Sequence, residues 1–269
     1  EAPGAADVDD DRAVEAQPRP SPDSHQESDP DANKRDRLAT AYGCRSAPDN
    51  PSAIAQADVV VLCVKPQIAP SVCRELATAL PRPAPLIISV MAGVTEAAIL
   101  RWLGREVPLV RAMPNTPVMV QSGAIGLHAG RAASSEQLNL AEEILRAGGL
   151  TRWVDNEQAL DIVTALSGSG PAYFFLFIEA LELAAVEQGL DAETARLLSI
   201  QTALGAARMA VESNDSPAEL RARVTSPGGT TERAIAAFED GDLNALVARA
   251  VAAARQRAEE LSQLLAEEQ

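Results

Sequence analysis

Apolar residues in the first half of the chain form short continuous runs, separated by stretches with helical spacing. Three runs rich in branched side chains are typical of strands buried on both faces of a parallel sheet. They are ADVVVLCV (57–64), LIISV (86–90) and VPLVRAM (107–113). Weaker strands are predicted over 123–129 and 151–154, and helices over 67–80, 95–103 and 135–146. Strands that alternate with helices predict an α/β domain built on a parallel sheet.

From Asn156 onward the apolar residues keep a helical spacing, and no strand-like run remains. Helices are predicted over 157–166, 171–188, 191–213, 216–223, 229–239 and 243–268. We therefore place a domain boundary near residue 156, between an α/β domain over 28–155 and an all-helical domain over 156–269. The stretch AYFFLFIEALELAA (172–185) is apolar over more surface than one modest domain covers, which predicts a homo-oligomer. No run of 18 apolar residues occurs, so no membrane partner is expected.

Residues 1–27 differ in composition from the rest of the chain. They carry eight acidic residues against two arginines, and Val8 and Val14 are their only large aliphatic residues. Such a segment buries too little apolar surface to offset its ordering entropy, so we predict that it is disordered.

The overall composition excludes several classes of function. A net charge of −15 argues against nucleic acid or an anionic membrane as partner, although a small anion can still bind at a local dipole. Cys44, Cys63 and Cys73 have no metal-site spacing, which favours reduced thiols, a cytoplasmic location and no metal. No signal peptide opens the sequence. His25 lies in the acidic segment, and His128 has no nucleophile at a known spacing, so neither indicates catalysis.

Short loops follow the three strong strands: VKPQ (64–67), MAGV (91–94) and MPNTP (113–117). Each alone is compatible with ordinary turn chemistry. Because ligands bind at the carboxyl ends of parallel strands, three such loops in succession predict a shared ligand-binding edge.

Two other segments allow two interpretations each. LSGSGPAY (166–173) holds the only G-x-G, but it follows a helical stretch, so packing and helix capping are favoured over a dinucleotide fingerprint. In SDPDANKRDRL (28–38), Asp29 and the basic residues would suit a ribose or its 2′-phosphate. From the segment alone, a helix N-cap followed by a solvated face is favoured.

The segment VTSPGGTTE (224–232) interrupts alanine-rich helices. Ser226 can cap the following helix, Pro227 suits its first position, and the two glycines leave backbone N–H groups uncovered. A tight turn between helices remains an alternative. So many small and hydroxyl residues at a helix N-terminus favour an anion site that would bind a carboxylate.

The succession SDPD, DNPSAIAQADVVVLCVKPQ, AGVT, RAMPNTP, LSGSGPAYFF and VTSPGGTTERAI resembles pyrroline-5-carboxylate reductase, from about Ser28 onward. VTSPGGTT followed by its helix is specific to that family. The resemblance implies a Rossmann domain that binds NADP (or NAD), then a helical dimerisation domain, in homodimers that often form decamers. It also implies reduction of L-1-pyrroline-5-carboxylate to L-proline by NAD(P)H, the last step of proline biosynthesis.

The resemblance also implies roles for individual residues. Thr231 would hydrogen-bond the ring nitrogen of the imine while the cofactor's hydride reaches C5, and Ser226 with the helix N-terminus would hold the carboxylate. The implied substrate site comprises Ser226, Gly229, Thr230, Thr231 and Glu157. The implied cofactor contacts are Ser28, Pro30, Asn50, Val64, Lys65, Pro66, Ala92 and Asn115.

The N-terminus departs from the family pattern of an apolar strand, a glycine-rich phosphate loop and a first helix. Residues 1–27 contain none of these, so we expect an incomplete Rossmann-like domain that binds NADPH weakly. Two hypotheses follow: an active reductase, or an impaired paralogue or product of a gene-start error that acts only as an oligomerisation partner. Lys34 and Arg35 favour NADPH over NADH.

Overall fold

The computed structural model describes residues 25–267, and the chain divides into two compact units, residues 1–56 and 57–269. The disorder predicted for residues 1–24, and the strand and glycine loop that we expected to be missing there, lie outside the described residues. The division does not fall at the predicted boundary near 156. The reason is physical: helices from the second half of the chain pack directly on the sheet of the first half, as with Val163 against Gly126.

The first unit contains a small parallel β-α-β arrangement. Strand β1 (Gln26–Glu27) pairs with β2 (Arg45–Ser46), and helices α1 (Ala32–Tyr42) and α2 (Asn50–Ile54) follow β1 and β2 respectively. The prediction of disorder up to residue 27 is therefore wrong for its last three residues. Ladder hydrogen bonds hold them, including one that the Arg45 N–H donates to the His25 carbonyl at 2.9 Å.

The second unit begins with a five-stranded sheet in the order β3-β4-β5-β6-β7. Its strands are β3 (Val59–Leu62), β4 (Leu86–Ser89), β5 (Leu109–Met113), β6 (Gly123–Ala129) and β7 (Gly149–Trp153). Helices α3 (Ala69–Ala79), α4 (Glu96–Leu103) and α5 (Ser135–Arg146) connect them. Leu86, Ile88, Val110, Ile125 and Leu127 form the centre of the core.

The predicted parallel sheet is confirmed except at one pair of strands, because β5 and β6 run antiparallel. The connection from residue 114 to residue 122 is shorter than the dozen or so residues that a parallel crossover needs. It contains a 3-10 helix, Thr116–Val120, and Gln121 then turns the chain back with a φ of 56°.

Every strand of the described residues ends by Trp153, and the remaining elements are helices. They are α6 (Ala159–Val163), a π-helical turn (Thr164–Gly168), α7 (Gly170–Glu187), α8 (Ala192–Glu212), α9 (Pro217–Arg223), α10 (Thr230–Asp240) and α11 (Leu243–Glu267). The change from α/β to all-helical structure thus falls where the sequence predicts it, although packing does not separate the two parts there.

Helix α7 exposes much of its apolar surface. Phe174, Phe175 and Leu176 are each about two-thirds exposed. The helical segment Ala159–Glu187 has a mean hydropathy of 1.4 over 18 residues, so by length and composition alone it could cross a membrane. The sequence pattern did not predict such a helix, because charged residues such as Glu179 and Glu182 interrupt its apolar run.

Candidate active site

The three loops proposed for the cofactor lie at one edge of the sheet. Strands β3, β4 and β5 are adjacent and parallel, so the residues that follow them share that edge. Val64, Lys65 and Pro66 follow β3, with Lys65 exposed at the start of a 3-10 helix. Ala92 is exposed after β4, and Asn115 is half-buried after β5. This is the edge at which open parallel sheets bind nucleotides.

Both the nitrogen and the oxygen of the Asn115 side-chain amide are hydrogen-bonded within the chain. Its Nδ2 donates to the Ser167 carbonyl at 3.0 Å, and its Oδ1 accepts from the Ala124 N–H at 2.9 Å. The amide therefore ties the loop after β5 both to the π-helical turn and to β6. A contact of Asn115 with a cofactor remains a prediction.

In the first unit, Ser28 and Pro30 lie between β1 and α1. Asp31 caps α1 by accepting from the Asn33 N–H, and the Asp29 carboxylate accepts from the Asp31 N–H. Lys34 Nζ lies 3.8 Å from Asp29 Oδ2. The capping interpretation is thus correct, and basic residues also line this turn, as a 2′-phosphate would require.

Asn50 occupies the first position of α2, directly after its N-cap residue Asp49. The Asp49 carboxylate accepts from the Ser52 N–H at 2.7 Å. The Ser52 side chain, and after it this backbone bond, lower the pKa of the Asp49 carboxyl. The structure gives the positions of Ser28, Pro30 and Asn50, and their cofactor contacts remain predictions.

Gly168 lets the π-helical turn approach β5 closely. A Cβ there would lie 2.7 Å from Met113 Cε, so the end of that flexible side chain would have to move, whereas a Cβ on Gly170 would meet no atom within 4 Å. Ser169 is the N-cap residue of α7 without a capping side-chain bond, and Pro171 lies in the first turn of that helix.

Ser226 to Gly229 form a turn between α9 and α10. The Gly229 N–H donates to the Ser226 carbonyl at 3.0 Å, and Gly228 has a φ of 73°, the geometry of a type II turn with Pro227 at its second position. The expectation that Ser226 caps the helix and Pro227 begins it is wrong. Because the turn occupies residues 226–229, α10 begins at Thr230 and its N-cap residue is Gly229.

Four of the five implied substrate residues lie at this turn, and only Glu157 does not. Thr231 is half-buried, whereas Ser226 and Thr230 are exposed. Thr230 and Thr231 occupy the first two positions of α10, where the backbone N–H groups of a helix favour an anion.

Sequence reasoning missed Glu232 at the third position of α10. Its Oε2 accepts from the Gly228 N–H at 2.8 Å, so the turn already binds one carboxylate of its own chain. The signal was present, because an acid at the third helical position commonly reaches back in this way.

Glu157 lies just before α6, and its hydrogen-bond partners are not at the turn before α10. Its Oε1 accepts from the Glu96 N–H at 2.6 Å and from Arg111 Nη1 at 2.9 Å. Arg111 is buried in β5. Burial also raises the pKa of the Asp161 carboxyl, and the positive charge of Arg111 only partly offsets this effect. This geometry gives Glu157 a structural role, and its contact with substrate remains a prediction.

Two cysteines have raised thiol pKa values, which disfavours the reactive thiolate. Burial raises the pKa of the Cys73 thiol to about 11. Desolvation of the sulfur also raises the pKa of Cys63, although that residue is exposed overall. No group of three or more histidine, cysteine or acidic side chains suited to a metal occurs within residues 25–267.

The fold and the two groups of residues define a class: oxidoreductases with a Rossmann-like domain followed by a helical dimerisation domain. Residues 26–93 match the family model described as NADP oxidoreductase, coenzyme F420-dependent. Residues 157–261 match the one described as pyrroline-5-carboxylate reductase dimerisation.

Curated and solved relatives narrow this class. The pyrroline-5-carboxylate reductase of Pseudomonas aeruginosa is 49% identical over 238 residues, which cover 88% of this chain and 87% of that protein. The structure of a pyrroline-5-carboxylate reductase from Coxiella burnetii matches with a TM-score of 0.86 at 48% identity, covering 90% and 89% of the two chains. That of Plasmodium falciparum, with NADP bound, matches with a TM-score of 0.74 at 30% identity, covering 81% and 82%. The chain belongs to the pyrroline-5-carboxylate reductase family.

Proposed function

We propose that this chain reduces L-1-pyrroline-5-carboxylate to L-proline with NAD(P)H, as the last step of proline biosynthesis in the cytoplasm. The observation that carries the proposal is the 49% identity to a curated reductase over nearly the whole described chain. The turn at Ser226–Thr231 supports it, because it offers a carboxylate site beside a half-buried hydroxyl.

The loops after β3, β4 and β5 would hold the cofactor. They fit it because they lie side by side at the carboxyl edge of parallel strands, with Lys65 and Ala92 exposed there. Ser28, Pro30 and Asn50 would add contacts from the first unit. Lys34 and Arg35 follow Ser28 closely and favour NADP, the cofactor bound in the Plasmodium falciparum relative. When bound, the cofactor supplies the hydride.

The turn before α10 would hold the substrate. The N–H groups of Thr230 and Thr231 lie at the positive end of the helix dipole, which favours the substrate carboxylate, and the Ser226 hydroxyl would add a donor. The Thr231 hydroxyl would donate a hydrogen bond to the ring nitrogen, or relay a proton to it, as that nitrogen gains electron density. Such a bond strengthens in the transition state and so raises the rate rather than the affinity.

The chain is oligomeric through its helical part, which the dimerisation model covers and whose apolar faces a single copy leaves exposed. We propose a homodimer as the basic assembly, and a decamer built from five dimers as the larger one. Light scattering of the full chain at several concentrations distinguishes them.

The test of function is NADPH oxidation at 340 nm in the presence of pyrroline-5-carboxylate, for the parent, Thr231→Ala and Thr231→Ser. Losing a hydrogen bond worth about 1.5–3 kcal/mol lowers kcat by roughly 10- to 150-fold in the alanine variant. The serine variant keeps the hydroxyl and should retain most of the rate. If the parent forms a folded dimer but does not oxidise NADPH, the result supports the alternative hypothesis that the chain acts only as an oligomerisation partner. Equal rates in all three proteins would remove Thr231 from the mechanism.

A further inference from the structure

The loop that displays Ala92 rests against the end of α11. Gly93 is buried with a φ of 74°, and a Cβ there would lie 3.3 Å from Leu265 Cδ1 and 3.5 Å from the Ser262 backbone nitrogen. A methyl group at Gly93 would therefore meet both the left-handed backbone conformation and the helix behind it.

The two flanks of this loop are anchored and only its tip is open. Met91 is 3% exposed and Val94 is fully buried, whereas Ala92 between them is exposed at the proposed cofactor edge. The position of Ala92 therefore depends on what supports Gly93 from behind, and that support is the last turns of α11.

The last turns of α11 are themselves held in place. The Ser262 hydroxyl donates to the Ala258 carbonyl at 3.0 Å and lies 3.4 Å from Asp161 Oδ1 on α6. Leu265 is 7% exposed, while its neighbour Leu264 is 55% exposed. The face of α11 that carries Ser262 and Leu265 thus packs on α6 and the loop, whereas the face that carries Leu264 is exposed.

We propose that Leu265 and Ser262 are positioning residues for cofactor binding, which act by fixing the Ala92–Gly93 loop. The inference rests on the proposed function, because it takes Ala92 as a cofactor contact. It assigns the helical part of the chain a role at the nucleotide edge of its own sheet, in addition to oligomerisation. Core packing alone would predict a loss of stability without a selective effect on the cofactor.

The experiment compares Leu265→Ala with Leu265→Met, which keeps the side-chain volume, and with the matched control Leu264→Ala. For each variant, KM for NADPH, KM for pyrroline-5-carboxylate and kcat are measured at one protein concentration. Hydrogen exchange of a peptide spanning 90–95 reports on the loop directly. If truncation reduces the binding-competent loop population to about a tenth, the apparent affinity for NADPH falls about tenfold.

We expect Leu265→Ala to raise KM for NADPH about tenfold and to speed exchange in the loop, with KM for the imine little changed. Leu265→Met and Leu264→Ala should behave like the parent. If the parent binds NADPH but Leu265→Ala matches Leu264→Ala in both KM for NADPH and loop exchange, this inference is overturned and the proposed function stands. A parent that neither binds NADPH nor oxidises it overturns the proposed function and the inference with it. Equal increases in both KM values would show a general structural role and also overturn the inference.

Discussion

Replacing Glu157 with alanine tests whether this residue is structural or binds substrate. Its carboxylate accepts from Arg111 Nη1 at 2.9 Å and from the Glu96 N–H at 2.6 Å. The Arg111 side chain is 8% exposed and that of Glu157 is 22% exposed. Without Glu157, a buried guanidinium loses its direct partner and the first turn of α4 loses an acceptor.

The expected cost follows from this burial. Breaking a buried ion pair by removing one partner costs about 3–5 kcal/mol, because the remaining charge stays in a poorly solvated place. Glu157→Gln keeps an acceptor oxygen for the Glu96 N–H but loses the charge. It should cost roughly half as much, since charge-assisted hydrogen bonds are about twice as strong as neutral ones. Arg111→Met with Glu157→Gln removes both charges, so its cost should be smaller than the sum of the two single changes.

The assay is urea unfolding of the full chain, followed by circular dichroism. All variants are measured at one concentration, because the stability of an oligomer depends on concentration. A loss of less than about 1 kcal/mol for Glu157→Ala, or additive effects in the double variant, would refute the reasoning. The substrate hypothesis makes the opposite prediction: Glu157→Gln would raise KM for pyrroline-5-carboxylate and leave stability nearly unchanged.

Two further predictions concern charge and assembly. Burial raises the pKa of Asp161 above its ordinary value of 3.8, so the folded chain holds this proton more tightly, and ionisation costs stability as the pH rises through the raised pKa. Asp161→Asn should therefore unfold at higher urea than the parent at pH 7, and the difference should shrink towards pH 4; a constant difference would contradict this. Phe175 is 66% exposed on α7, and Phe175→Glu should shift the full chain towards monomer in light scattering, whereas an unchanged mass would show that the oligomer does not use this face.

The sequence predicted most elements because their signals are local. Helix α5 was predicted at its observed bounds, since Ser134 and Gln137 form a capping box at its start. Strand β6 was also predicted at its observed bounds, but its direction was not. Direction depends on how far the preceding connection can reach, and the turn at Gln121 is not visible as a hydrophobic pattern.

The placement of the candidate cofactor loops was predicted for a related reason. The loops after three successive strands could be placed at one edge, because parallel strands place their carboxyl ends together. The ion pair between Arg111 and Glu157 joins residues 46 positions apart, so no local sequence pattern predicts it. Its only sign in the sequence is an arginine inside an apolar strand. The sequence predicted a turn before α10, and its role as the substrate site stays a prediction. The turn's geometry depends on the positive φ of Gly228, so the helix begins at Thr230 rather than at Pro227.

The π-helical turn at Thr164–Gly168 changes what a one-residue insertion or deletion would do here. A π-helical turn contains about one residue more than an α-helical turn, and each residue rotates an α-helix by about 100°. Before the turn, Leu160 is 2% exposed, whereas after it Phe174 is 69% exposed. Deleting one residue from 164–168 would restore a regular helix and rotate α7 by roughly a quarter of a turn relative to α6. A length change in this segment would thus alter which side chains of α7 face another copy, without replacing any of them.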